Sequence, residues 1–65
     1  MEYKYDRKVD VLIIKISDNS PDYGEQKDNI IYHYSKEGKP VEIEILDASK
    51  TAMKIFEAIL KSKTQ

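Results

Sequence analysis

The stretch between Asn29 and Leu46 reads NIIYHYSKEGKPVEIEIL, and its alternation of apolar and polar residues decides the fold. Two runs rich in β-branched and aromatic residues flank the charged turn 36–39. Gly38 stands in that turn, where a positive φ is expected and glycine adopts it without steric cost. This pattern predicts a β-hairpin.

A four-residue turn also predicts the register of this hairpin, with Ser35 paired to Pro40. The apolar pairs expected on one face are Tyr34–Val41, Tyr32–Ile43 and Ile30–Ile45. The pairs expected on the other face are His33–Glu42 and Ile31–Glu44. A slip of one residue would place the glutamates opposite the tyrosines, so turn length and alternation support the same register.

The residues before this hairpin predict further strands. Residues 10–17 are rich in β-branched side chains, which indicates a strand, and the turn residues 18–21 are expected to end it. Residues 2–5 alternate polar and aromatic side chains, and residues 6–8 would connect them to that strand as a hairpin. Residues 22–28 contain little apolar content and are expected to form a loop or a short edge strand.

After Leu46 the apolar period changes to that of a helix, and Asp47 is expected to cap its N-terminus. The residues on one helical arc are Ala52, Met53, Phe56, Ile59 and Leu60, and the opposite arc carries Lys50, Lys54, Glu57 and Lys61. The predicted fold class is therefore α+β: a small curled antiparallel sheet of about four strands, with one C-terminal helix packed on one face. Residues 1–65 form a single domain in this interpretation.

The helix can cover only one face of such a sheet, and the reverse face carries more apolar residues than a solvated face normally does. One explanation is shielding by the segment 18–28 and by long charged side chains. The other is burial against a second copy of the chain. The residues proposed for such an interface are Val11, Ile13, Ile31, His33, Glu42 and Leu46. Small size and the lack of disulfides favour the homodimer.

Composition argues against several classes of function. Eleven Lys and Arg residues stand against twelve Asp and Glu residues, and the net charge is −1, so binding of nucleic acid by bulk electrostatics is not expected. There is no Cys, which excludes disulfides and agrees with a reducing compartment. The sequence shows neither a secretory signal nor an apolar run long enough to span a membrane, and a cytoplasmic location is expected.

No catalytic or cofactor-binding motif stands out, so we expect neither an enzyme nor a cofactor. His33 beside Glu42 and Glu44 suggests a metal or small-ligand site, but a cross-strand pair on a solvated face is the simpler interpretation. Tyr32 and Tyr34 suggest base stacking, yet they fall on the face assigned to the helix and are expected to be core residues.

Residues 5–6, 10–17 and above all 41–50, which read VEIEILDASK, resemble the small YuzE-like prokaryotic family, a domain of unknown function. The resemblance implies a small antiparallel sheet plus a helix and supplies no catalytic residues. It also implies a context, because some members of that family are regarded as antitoxins encoded beside small toxin-like proteins. The sequence departs from the family pattern at Val11–Leu12 and at residues 32–34.

Three hypotheses about function follow. The first is a non-enzymatic protein-interaction module that self-associates as a homodimer. The second is an antitoxin that masks a toxin-like protein partner, which gene neighbourhood and co-purification would reveal. The third is a metal or small-ligand protein centred on His33 and Glu42, which would show a thermal shift in a ligand screen.

Overall fold

The structure is a computed structural model that describes residues 1–63, so the last two residues of the predicted domain lie outside the described part. The elements in chain order are β1 (Glu2–Asp6), β2 (Val11–Lys15), β3 (Tyr23–Lys27), β4 (Ile30–Tyr34), β5 (Pro40–Ile45) and α1 (Ala48–Lys63). The predicted α+β class and its antiparallel sheet are confirmed. The sheet has five strands where about four were predicted.

The extra strand is β3, in the segment expected to be a loop or a short edge strand. The strand order is β1-β2-β5-β4-β3, and every neighbouring pair is antiparallel. All five residues of β3 are exposed, and β3 pairs only with β4 at the edge of the sheet. A strand with so little apolar content is hard to predict, because its backbone pairing carries no alternation signal.

The predicted hairpin register is confirmed over most of its length. Its confirmed pairs are Ile30–Ile45, Ile31–Glu44, Tyr32–Ile43 and His33–Glu42. The predicted pairs Tyr34–Val41 and Ser35–Pro40 are wrong, because a β-bulge next to His33 places Tyr34 opposite Pro40. The carbonyl oxygen of Val41 instead accepts the backbone N–H groups of Ile16 at 2.8 Å and Ser17 at 3.1 Å. At the bulge, the residues that follow β2 are thus hydrogen-bonded to the start of β5.

The turn of this hairpin has the predicted glycine conformation. Gly38 has a φ of 80°, in the left-handed region that favours glycine. Its N–H donates to the carbonyl of Ser35 at 2.9 Å, and the N–H of Ser35 donates to the carbonyl of Lys39 at 2.9 Å. Ser35 is buried at this closure, so the turn is held by backbone hydrogen bonds that water does not reach easily.

The helix is amphipathic, as predicted, but it does not pack on a face of the sheet. Within residues 1–63 the only buried hydrophobic residues are Val41 and Ala48. The longest dimension of the molecule is 42 Å, close to the combined length of β5 (~20 Å for its six residues) and α1 (~24 Å for its 16). The helix therefore extends outward from the end of β5, and the expected packing of helix on sheet is absent within the described chain.

Candidate interaction surface

The direction of α1 is set at its first turn by Asp10, which lies at the end of the β1–β2 turn. The Asp10 carboxylate accepts the backbone N–H of Ser49 at 3.1 Å and its hydroxyl at 2.7 Å. The Tyr5 hydroxyl donates to the same carboxylate at 2.6 Å. The Asp10 carbonyl accepts the N–H of Ala48 at 2.9 Å. The three bonds from Ala48 and Ser49 anchor the start of the helix to the β1–β2 hairpin, and the bond from Tyr5 holds the Asp10 carboxylate in place.

The prediction that Asp47 caps the helix is therefore corrected: the carboxylate that satisfies the free N–H of Ser49 belongs to Asp10, 39 residues earlier. Asp47 has a φ of 48°, and its carbonyl accepts the N–H of Thr51 at 3.0 Å. A carboxylate at the first turn also complements the positive end of the helix dipole. The cap is a long-range contact, and local sequence rules do not detect such contacts.

This network shifts the acidity of two of its members. The hydrogen bond from Tyr5, followed by that from the Ser49 hydroxyl, stabilises the carboxylate and lowers the pKa of Asp10 below its ordinary value. The same bond with Asp10 raises the pKa of the Tyr5 hydroxyl. Asp10 is therefore ionised and Tyr5 protonated at neutral pH, the pair of states that this hydrogen bond requires.

We expect Asp10→Asn to lower the melting temperature at pH 7 and to flatten its acid dependence. A carboxyl whose folded pKa is depressed adds stability above the ordinary Asp pKa of about 3.9, and that stability is lost as the pH falls through the folded pKa. Thermal unfolding followed by circular dichroism from pH 7 to pH 3 measures both effects. Asp22→Asn, which makes the same change at an exposed carboxylate, is the control. Equal acid dependence in the two variants would contradict the role of Asp10.

One face of α1 carries a continuous apolar surface, which we call the helix stripe. Its members are Ala52, Met53, Ile55, Phe56, Ile59 and Leu60. At 100° per residue they cover one side of the helix, and Ile55 widens the predicted arc. The five large side chains of the stripe are between 48% and 58% exposed. A stripe of this kind normally faces a core, and here nothing within residues 1–63 covers it.

The sheet has an apolar face of its own, which we call the front face. The register places on it Tyr3, Tyr5, Leu12, Ile14, Tyr23, Ile30, Tyr32, Tyr34, Ile43 and Ile45, together with the charged Glu25 and Lys27 of the edge strand β3. The members on the three inner strands are half-buried, whereas Tyr3 on the edge strand β1 is 81% exposed. The rings of Tyr23 and Tyr34 stack with their centroids 5.2 Å apart. This is the face that was predicted to receive the helix, and α1 leaves it open.

The reverse face mixes apolar and charged side chains. Ile13 lies opposite Lys4 and Glu44, and Ile31 also lies opposite Glu44. Nε2 of His33 is 3.4 Å from Oε1 of Glu44, although the backbone partner of His33 is Glu42. Neighbouring charges of both signs therefore surround the apolar residues of this face.

The structure places five of the six predicted interface residues together on this reverse face. They are Val11, Ile13, Ile31, His33 and Glu42, all half-buried. Leu46 lies instead beyond β5 at the helix junction, where its N–H donates to the carbonyl of Asn29 and its carbonyl accepts the Thr51 hydroxyl. Residues 23–27 extend the sheet in its own plane as β3, so they do not shield this face. Its use as an interface stays a prediction.

The described residues contain no group of three or more His, Cys, Asp or Glu side chains that could hold a metal ion. The predicted site at His33 therefore reduces, in residues 1–63, to its contact with Glu44 and its pairing with Glu42. No helix in the described part of the chain has the length and hydropathy needed to cross a membrane.

Comparison with known proteins assigns most of the sequence to a family. The family described as "Protein of unknown function (DUF2283)" matches residues 2–49, which contain the whole sheet together with Asp10 and Ser49. The chain belongs to the DUF2283 family. No curated protein and no solved structure matches it.

The DUF2283 chain is far more open than a globular protein of its size. Its radius of gyration is 13.8 Å, where about 10.8 Å is expected for 65 residues. Its accessible surface is 5500 Å², where about 4,300 Å² is expected for a folded monomer of this mass. The chain therefore exposes roughly 1,200 Å² more than a compact monomer of its mass. The helix stripe and the front face are the candidate site of this protein.

Proposed function

We propose that this DUF2283 protein is a non-enzymatic protein-interaction module that self-associates through the helix stripe and the front face. The observation that carries the proposal is the pair of large apolar surfaces left uncovered by the chain's own fold. Contiguous exposed apolar surface of this extent marks an interaction site. The sheet and the helix junction serve, in this proposal, as a rigid frame that presents both surfaces.

Stability supports the same proposal. A chain this short buries too little surface to be very stable by itself. The described chain has only two buried hydrophobic residues, and the sequence has no Cys for a disulfide. Covering the open apolar surfaces by association supplies the missing burial.

The proposal predicts an oligomer whose melting temperature rises with protein concentration. Light scattering at micromolar concentration should give about twice the 7.6 kDa chain mass. Because unfolding then releases two chains, a tenfold rise in concentration should raise the melting temperature by about 5 °C. A concentration-independent melting temperature together with the mass of a monomer would contradict self-association.

A toxin-like protein is the alternative occupant of these surfaces, suggested by the resemblance to the YuzE-like family. An antitoxin of this kind would form a complex of defined composition with the product of a neighbouring gene. Co-expression of the two genes, followed by purification through a tag on this chain, tests it. A 1:1 complex that replaces the homo-oligomer would show that the same surfaces bind the toxin-like protein.

A further inference from the structure

Building on the proposed function, we infer that the partner of the helix stripe is the front face of a second copy of this chain, and that two chains exchange helices reciprocally. Each α1 then lies on the sheet of the other protomer, which is where the α+β pattern of the sequence would place a helix. In this dimer each sheet is covered by the helix of the other chain, whereas the sheet of a single chain is left uncovered.

The junction explains why a chain does not cover its own sheet. Asp10 holds the first turn of α1 through Ser49 and Ala48, and Asp47 takes a left-handed conformation immediately before the helix. With the junction held in this way, α1 leaves the sheet of its own chain uncovered. A second chain can reach the stripe with the junction intact.

The dimensions of the two surfaces agree. The helix stripe runs from residue 52 to residue 60, and nine helical residues are ~13 Å long. The three inner strands β2, β5 and β4, spaced ~4.8 Å apart, span ~10 Å. The stripe is therefore long enough to lie across the three inner strands of a partner sheet.

The distribution of charged side chains favours the front face, and not the reverse face, as the surface that binds the stripe. An apolar helix docked on the reverse face would remove water from Lys4, Lys15, Glu42 and Glu44, and burial of charged groups is costly unless each finds a partner. On the front face the charged residues Glu25 and Lys27 lie on the edge strand β3, whereas the inner strands present only aliphatic and tyrosine side chains. The tyrosine hydroxyls can reach water at the rim.

The extra accessible surface of each chain is large enough for the interface of a dimer. Each chain exposes roughly 1,200 Å² more than expected for its mass, and a stable interface of standard size buries about 800 Å² per partner. A reciprocal exchange uses the stripe and the front face of both chains, so it closes after two copies and leaves neither surface open. A one-way contact would leave one stripe and one front face exposed and would lead to longer assemblies.

The test uses the absence of Cys, since every thiol is then an introduced one. Ile59→Cys places a thiol on the stripe, and Tyr32→Cys places one on the front face. The two variants are mixed in denaturant, refolded together and treated with a short bis-maleimide, and intact mass separates the mixed dimer from the two homodimers. Matched controls are Lys54→Cys on the polar side of α1 and Ile13→Cys on the reverse face.

We expect the 59–32 mixed dimer to exceed the 54–32 and 59–13 products by at least about tenfold, because docking raises the effective concentration of the paired thiols. A dimer in light scattering whose crosslinks join two Ile59→Cys chains or positions 59 and 13 is a different result. It would overturn the exchange and the use of the front face, while self-association itself would stand. A monomer in light scattering would overturn both.

Discussion

We expect Phe56→Glu to convert the proposed dimer into a monomer. Phe56 is 56% exposed in the single chain and lies near the middle of the helix stripe, so association would bury it. Loss of one central aromatic contact weakens binding by at least about 2 kcal/mol, and a symmetric dimer contains two copies of it. The dissociation constant should therefore rise by about 1,000-fold. Sedimentation velocity over a concentration series measures this change.

Lys54→Glu is the matched control, because it introduces the same side chain two residues earlier on the polar side of α1. Its dissociation constant should stay within about threefold of that of the parent protein, as expected for a substitution outside an interface. Equal weakening by the two variants would show that negative charge on the helix, and not the stripe, controls association. An unchanged dimer in Phe56→Glu would rule out the stripe as an interface.

Ile14→Lys and Ile13→Lys should separate the two faces of the sheet. The two residues are neighbours on β2 and both are half-buried, but Ile14 lies on the front face opposite Tyr3 and Ile43. A lysine there would be buried without a partner charge by the docked helix, so we expect Ile14→Lys to abolish the dimer at micromolar concentration. Ile13 lies opposite Glu44 on the reverse face, where a lysine meets a carboxylate, and we expect that variant to remain a dimer.

The opposite outcome is equally informative. If Ile13→Lys dissociates the dimer and Ile14→Lys does not, the interface lies on the reverse face, among the residues first predicted for it. Circular dichroism of both variants is needed as a control, since a charged residue on an inner strand also weakens the sheet itself. A variant that has lost its strand signal reports on folding and is replaced by the milder Ile14→Ser and Ile13→Ser pair.

Most of the sheet could be predicted from the sequence, because alternation and turn chemistry are local signals. The register of β4 against β5 follows from the turn at Gly38 and from apolar pairs such as Tyr32–Ile43. The bulge that moves Tyr34 opposite Pro40 depends on hydrogen bonds from the end of β2, which the hairpin sequence does not contain. The edge strand β3 lacks alternation and is formed by pairing with β4 alone.

The candidate surface could be predicted only in part. Its residues were identified by their spacing, because an amphipathic helix and an apolar sheet face are properties of periodicity. The assumption that the helix covers its own sheet came from the usual behaviour of small α+β domains. Nothing local in residues 47–63 distinguishes a helix that folds back from one that projects outward.

The sequence by itself determined four of the five strands, the helix, most of the register of the central hairpin and the apolar periodicity of the two surfaces, since each depends on side chains that are close along the chain. Tertiary structure alone decided that Asp10 caps the helix across 39 residues and that the helix leaves the sheet uncovered. The physical reason is that helix direction depends on a few hydrogen bonds between distant residues, which periodicity does not encode.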